Sequence, residues 1–265
     1  MPSIRSASGH GICIIWVSKQ SRTNRMKRTM NTLSKVGAGV LISFFTCFSA
    51  LAQANRAEDI LIDDFETSEV GEIPLLWWSI QGKNVVPLSP KMKEEGEYYS
   101  VESDGRGQFL RAGTKSESLR IVMPNNKGFQ WNLESHPILS WRWRPNQLPP
   151  NAREDKVNDT AGSIYVTFGT DWLGRPKSLK YTYSTTLPVG TVIKQGPLVI
   201  VVVGSGPDGV GRWQSVRRDV AKDYREYFGR TAPSSPDFIA IWSDSDTTKS
   251  SSEMDFDDLK ISRAN

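Results

Sequence analysis

The stretch ILSWRWRPNQLPPN, Ile138 to Asn151, alternates apolar and polar side chains and then stops at a proline-rich corner. A period of two belongs to an extended strand with one covered face, and a helix cannot hold it. Leu139, Trp141 and Trp143 then share one side while Ser140, Arg142 and Arg144 share the other. Nine further β-rich runs, separated by Gly, Pro, Asn and Asp, fall at 60–66, 75–80, 108–114, 118–123, 162–170, 178–184, 198–206, 237–244 and 254–262. Such runs with little helix between them predict an all-β fold, two packed antiparallel sheets in a jelly-roll-like β-sandwich.

One stretch breaks the pattern. In SVRRDVAKDYREYFG, Val216, Val220, Tyr224, Tyr227 and Phe228 recur at three- and four-residue spacing, and Gly229 sits where a helix C-terminal glycine belongs. A short amphipathic helix near 216–228 is expected there.

The two faces of the Trp/Arg strand separate function classes. A nucleic-acid reader wants aromatic and basic groups on one surface and a positive field. Here the tryptophans cannot interleave with the arginines. The field is also wrong: seven of the 33 Lys and Arg lie before Ala52, leaving 26 against all 29 acids in the rest of the chain. Nucleic-acid binding is therefore excluded from the expectations. The tryptophans are read as core. The arginines either lie in solvent or meet carboxylates across the strands, with Asp155, Asp159, Asp244 and Asp246 as the candidates.

The basic leader has the parts of a secretory signal. A cationic stretch MKRTMNTLSK precedes an uncharged apolar run from Val36 to Leu51 and the small residues Ala50 and Ala52. Residues 1–25 read as an upstream leader segment, 26–52 as a signal peptide and 53–265 as one β-sandwich domain, periplasmic or secreted after cleavage near Ala52. The rival is an uncleaved anchor, for which the apolar run is short of the roughly 20 residues that a spanning helix needs. Cys13 and Cys47 both fall in the leader, so no disulfide, thiolate or Cys-based metal site is expected beyond it. His136 is the one histidine after the leader, which excludes a multi-histidine metal site. It precedes Pro137 at a strand entrance and reads as a turn residue.

With these residues in hand, the chain resembles an exported bacterial family known as domain of unknown function 3047. The resemblance rests on WRWR (141–144) with its Pro/Asn corner, EDKVNDTAGSIYVTF (154–168) and LKYTY (179–183). It continues through Trp213 with RDVAKDYREYFG (218–229), IAIWSDSDTT (239–248) and DFDDLKI (255–261), covering about Asp63 to the C-terminus. It implies a sandwich similar to carbohydrate-binding and galactose-binding-like modules, with no established activity. Ser163 departs from the pattern, because an Arg is expected in the strand after the Asp pair; a charge network there would lack a cation.

Three constellations bear chemistry. Asp64 and Glu66 in the first run and Asp257 in the last are candidate ligands for a structural calcium, if first and last strands lie side by side. The alternative is that these acids guard an edge strand. The tract SDSDTTKSSSE starts with Asp244 and Asp246 at calcium-loop spacing, but Lys249 stands where such a loop needs Gly, so a polar hairpin loop is expected. Finally, Arg142, Arg144, Asp155, Asp159, Asp244 and Asp246 form a candidate ligand-binding set, with Trp172, Tyr181 or Tyr183 stacking on a sugar ring. A salt-bridge network is the structural alternative for that set, and a pair of its acids would also suit a glycosidase. Trp77 and Trp78 should point to opposite faces, and GSGPDGVG (204–211) reads as a hairpin turn rather than a phosphate cradle. The expectation is an exported non-catalytic sandwich binding a glycan or other polar envelope component; a carbohydrate-active enzyme and a structural or protein-interaction module of the envelope are the alternatives.

Overall fold

The computed structural model describes residues 59–264, apart from Lys83 and Lys93. The leader segments, with Cys13 and Cys47, lie outside the described residues. Among those residues no helix is long and apolar enough to cross a membrane.

Among the described residues fourteen strands run β1 (Ile60–Asp63), β2 (Trp78–Gln81), β3 (Asn84–Pro87), β4 (Glu97–Ser103), β5 (Gln108–Lys115), β6 (Ser118–Pro124) and β7 (Ile138–Gln147). They continue as β8 (Thr160–Thr170), β9 (Pro176–Ser184), β10 (Val192–Gln195), β11 (Leu198–Ser205), β12 (Gln214–Asp219), β13 (Phe238–Asp244) and β14 (Ser251–Ser262). One sheet has the order β12-β7-β14-β5-β4, with β1 also paired to β14; the other has the order β10-β11-β9-β8-β13-β6-β2-β3. Every pairing is antiparallel except β11 with β9, which is parallel. First and last strands do lie side by side, Ile60 opposite Ile261.

The expected strands are all present. The unexpected ones, β3, β4, β10 and β12, are mostly short and lie at or near sheet edges. The helix is shorter than its spacing suggested. Val216 belongs to β12 and pairs with Trp141, and α1 spans Val220–Phe228. Spacing by four is also a multiple of two, so the Val216 to Val220 step fits either element. Asp219 caps α1, its side chain accepting from the backbone N–H of Lys222, and Gly229 ends it at φ 68, where a side chain would be strained. GSGPDGVG is not a hairpin turn: a short 3-10 turn at Pro207–Gly209 carries the chain from β11 in one sheet to β12 in the other.

The core lies between the sheets, and β7 supplies its centre. Trp141 and Trp143 are buried and pack against Tyr181 and Tyr183 of β9, each pair of ring centroids 5.8 Å apart. Gly204 of β11 makes room for this, since a Cβ there would run into the rings of Tyr183 and Trp143.

Candidate functional site

The outer face of the smaller sheet carries the arginines, and Arg111, Arg142 and Arg144 are matched by carboxylates within the chain. Arg144 Nε donates to Asp255 Oδ2 at 2.8 Å and Arg111 Nε to Asp255 Oδ1 at 2.8 Å, so one buried carboxylate holds two guanidinium groups. Arg142 Nη2 donates to Asp257 Oδ2 at 2.7 Å and its Nε lies 3.3 Å from Asp258. A β-bulge explains that double contact. Between Asp257 and Lys260, β14 carries one residue more than β7 opposite it, and Asp258 at φ 53 takes up the excess. Burial, and then Asp258 beside it, push the Asp257 carboxyl up to about 6. Trp213 lies against both arginines, 4.9 Å from Arg142 and 4.7 Å from Arg144.

The carboxylates expected to meet these arginines are elsewhere. Asp155 pairs with Arg153 at 2.9 Å, while Asp159, Asp244 and Asp246 gather at the β13–β14 connection. The partners are Asp104, Asp255, Asp257 and Asp258 instead. Tyr181 and Tyr183 are also misplaced as stacking residues. They point into the core, 0% and 1% exposed, with hydroxyls donating to Asp223 and to the Gly206 carbonyl at 2.8 Å. Trp172 is 88% exposed, on a turn where Asp171 accepts from the backbone N–H groups of Leu173 and Arg175. That turn joins β8 to β9 in the other sheet, away from the β7 arginines.

The calcium candidates Asp64, Glu66 and Asp257 line one cleft, but the residues there do not suit the ion. Arg142 supplies the counter-charge of Asp257, Glu66 accepts from the backbone N–H of Gln108 at 2.7 Å, and Asp64 accepts from that of Glu66. Among the described residues the carboxylate group close enough for a shared cation is Asp159, Asp244 and Asp246, whose oxygens lie within 4.8 Å of one another. Asp159 already accepts from Thr248 N at 2.7 Å and Thr248 Oγ1 at 2.6 Å. A cation is also present. Lys180 is fully buried, donates to Asn158 Oδ1 at 2.7 Å, and has Glu154, Asp244 and Asp159 as its negative neighbours. Burial outweighs those charges and brings its ammonium down to about 8, while burial and Asp246 push Asp244 up to about 7. Ser163, where a cation was missing, lies on the same outer face as Lys180 and donates to the Trp242 carbonyl.

The outer face of the larger sheet is different in kind. Cross-strand register sets Trp78, Val122, Ala240, Tyr165, Lys180 and Ile200 in one row across β2, β6, β13, β8, β9 and β11. The next row runs Arg120, Trp242, Ser163 and Thr182. Where these rows meet, Tyr165 and Trp242 lie 4.9 Å apart with ring planes at 32°. They border a cleft of about 230 Å³ with Arg120, Asn158, Thr167, Pro176, Ser178 and Phe238. Trp242 is half-buried, and its indole N–H donates to Ser118 Oγ at 2.7 Å, which fixes the plane of the ring. On its other side, Arg120 and Trp242 also border a second cleft of about 310 Å³ that reaches Ser79, Gln81, Glu94 and Glu97.

Sequence reasoning did not single out Tyr165, Trp242 or Arg120. The signal was present: in FIAIWSD, Ile239 and Ile241 face the core, which leaves Ala240 and Trp242 outside, and in SIYVTF Tyr165 falls out of the Ile164/Val166 set.

A family model described as Protein of unknown function (DUF3047) matches residues 83–260. No curated protein matches the chain. Solved structures similar to it include the family 11 carbohydrate-binding module of the cellulosomal cellulase Lic26A-Cel5E of Clostridium thermocellum, at 10% identity and TM-score 0.39, covering 78% of this chain and 96% of that one. The family 30 carbohydrate-binding module of a cellulosomal cellulase of the same organism is similar at 12% identity and TM-score 0.41, covering 78% and 99%. The CBM22-1 xylan-binding domain of Paenibacillus barcinonensis Xyn10C is similar at 9% identity and TM-score 0.36, covering 79% and 97%. No residue role is carried over from these structures.

Proposed function

The chain belongs to the family described as Protein of unknown function (DUF3047), and we propose that it is a non-catalytic glycan-binding sandwich of the cell envelope, with its ligand on the outer face of the larger sheet. The observation that carries this reading is the Tyr165/Trp242 pair, two rings 4.9 Å apart at the edge of a cleft that also offers Arg120, Asn158 and Ser178. Sugar rings have an apolar face and a polar rim, and an aromatic platform beside hydrogen-bonding groups answers both. Tyr165 is buried with Val122 and Ala240 in a small apolar cluster on this face and backs Trp242, which is half-buried and is the ring that the cleft offers to a ligand. The arginine face of the smaller sheet is the weaker candidate, because its charges are consumed by Asp255, Asp257 and Asp258. Export rests on the cationic and apolar leader.

The test is affinity electrophoresis through gels containing soluble polysaccharides, neutral and charged. The wild-type chain is expected to be retarded by at least one of them, Trp242→Ala to migrate freely, and Arg142→Ala to be retarded like wild type. Free migration of wild type in every gel, or retardation that survives Trp242→Ala and not Arg142→Ala, contradicts the proposal.

A further inference from the structure

Several arginines of the sandwich hold carboxylates. Arg111, Arg142, Arg144 and Arg218 each have one at 2.6 to 2.8 Å. Arg120 has none: among the described residues no carboxylate stands at ion-pair distance from it, and its guanidinium lies instead 5.0 Å from the centroid of the Trp242 ring. No acidic residue lines the 230 Å³ cleft that Arg120 borders. Arg120 is exposed on this face of β6, so its guanidinium is open to a ligand group beside the cleft. An anionic group on a ligand would complete the pair, and the planar guanidinium suits two oxygens of one acid.

We infer that the cleft takes a glycan bearing anionic groups, with Arg120 pairing to the anion while Trp242, backed by Tyr165, stacks on a sugar ring. This rests on the glycan-binding reading and adds the charge class of the ligand. The two clefts that flank Arg120 also differ in sign. Glu94 and Glu97 border the one toward β2, and the one toward β8 and β9 has no acid, so the anion seats on the β8 side. A uronate carboxylate and a sulfate ester present the same pair of oxygens.

Calorimetric titration separates these. The probes are polygalacturonate with its carboxyl-reduced form, and dextran sulfate with dextran, all at physiological salt. Wild type is expected to bind at least one anionic polymer roughly tenfold more tightly than its neutral counterpart, the size of one charge-assisted hydrogen bond. Preference in the first pair assigns a carboxylate, and preference in the second a sulfate ester. Arg120→Gln should erase the preference while its melting temperature shows it folded, Arg120→Lys should restore part of it, and Arg225→Ala on the exposed side of α1 should change nothing. Equal affinity for charged and neutral polymers, or a preference that survives Arg120→Gln, overturns the inference and leaves the glycan-binding reading standing. Failure of wild type to bind any of the four polymers overturns both.

Discussion

Trp143 and Tyr183 meet edge to face across the two sheets, their ring centroids 5.8 Å apart and their planes at 77°. Trp143 also touches Trp141 and Phe256, so one ring ties β7, β9 and β14 together. Its indole nitrogen is buried with no hydrogen-bond partner, so what it contributes is area and shape. Trp143→Ala is therefore expected to cost about 3 to 5 kcal/mol, and Trp143→Phe distinctly less, in denaturant unfolding. Equal losses for the two variants would contradict this.

Asp255 is wholly buried between Arg111 and Arg144. Asp255→Asn leaves two guanidinium groups facing a neutral amide. Both arginines keep contact with solvent, which moderates the loss, and about 2 kcal/mol of destabilisation is expected, below the cost of breaking a fully buried pair. A variant as stable as wild type would show that this network is ornamental to the fold.

The cluster of Asp244 and Lys180 predicts a stability minimum near neutral pH. Asp244, raised from an ordinary 3.8 to about 7, holds a proton in the folded chain that the unfolded chain has released. Its contribution is complete below about pH 4 and is lost as pH rises through 7. Lys180, lowered to about 8 from 10.5, sheds its proton more readily when folded, so stability recovers above pH 8. Melting temperature should accordingly be higher at pH 5 than at pH 7.5, and Asp244→Asn should flatten that slope. A wild-type melt independent of pH over this span would refute the assignment.

Arg142 at Asp257, and Lys180 near Asp159 and Asp244, supply the positive charge that calcium would otherwise bring. Addition of a chelator is expected to leave the melting temperature unchanged. A drop of several degrees, reversed by calcium, would contradict this.

Much of the fold was readable because alternation survives in a strand whatever its neighbours are. Leu139, Trp141 and Trp143 had to face together, whereas the β1–β14 pairing entered the calcium reading only as a condition that alternation does not supply. The short strands were less visible, since NVVP and VIKQ bury too little to impose a pattern. Partner choice was not readable at all. Arg142 meets Asp257, 115 residues away, because of register and one bulge, whereas Asp159, much nearer in the chain, and Asp244, almost as far, join a different cluster. The same holds for the cleft: alternation puts Trp242 and Tyr165 on outer faces, but only the order β9-β8-β13-β6 brings them together.

The most direct test follows the indole N–H resonances of nitrogen-labelled protein during titration with oligosaccharides cut from a polysaccharide that retards the chain. Trp242 borders the cleft and Trp213 lies on the arginine face of the opposite sheet, so the two rings report on the two surfaces separately. The account predicts that the Trp242 resonance shifts with saturation while that of Trp213 stays in place. A shift at Trp213 with Trp242 unmoved would contradict it and return the binding face to Arg142 and Arg144.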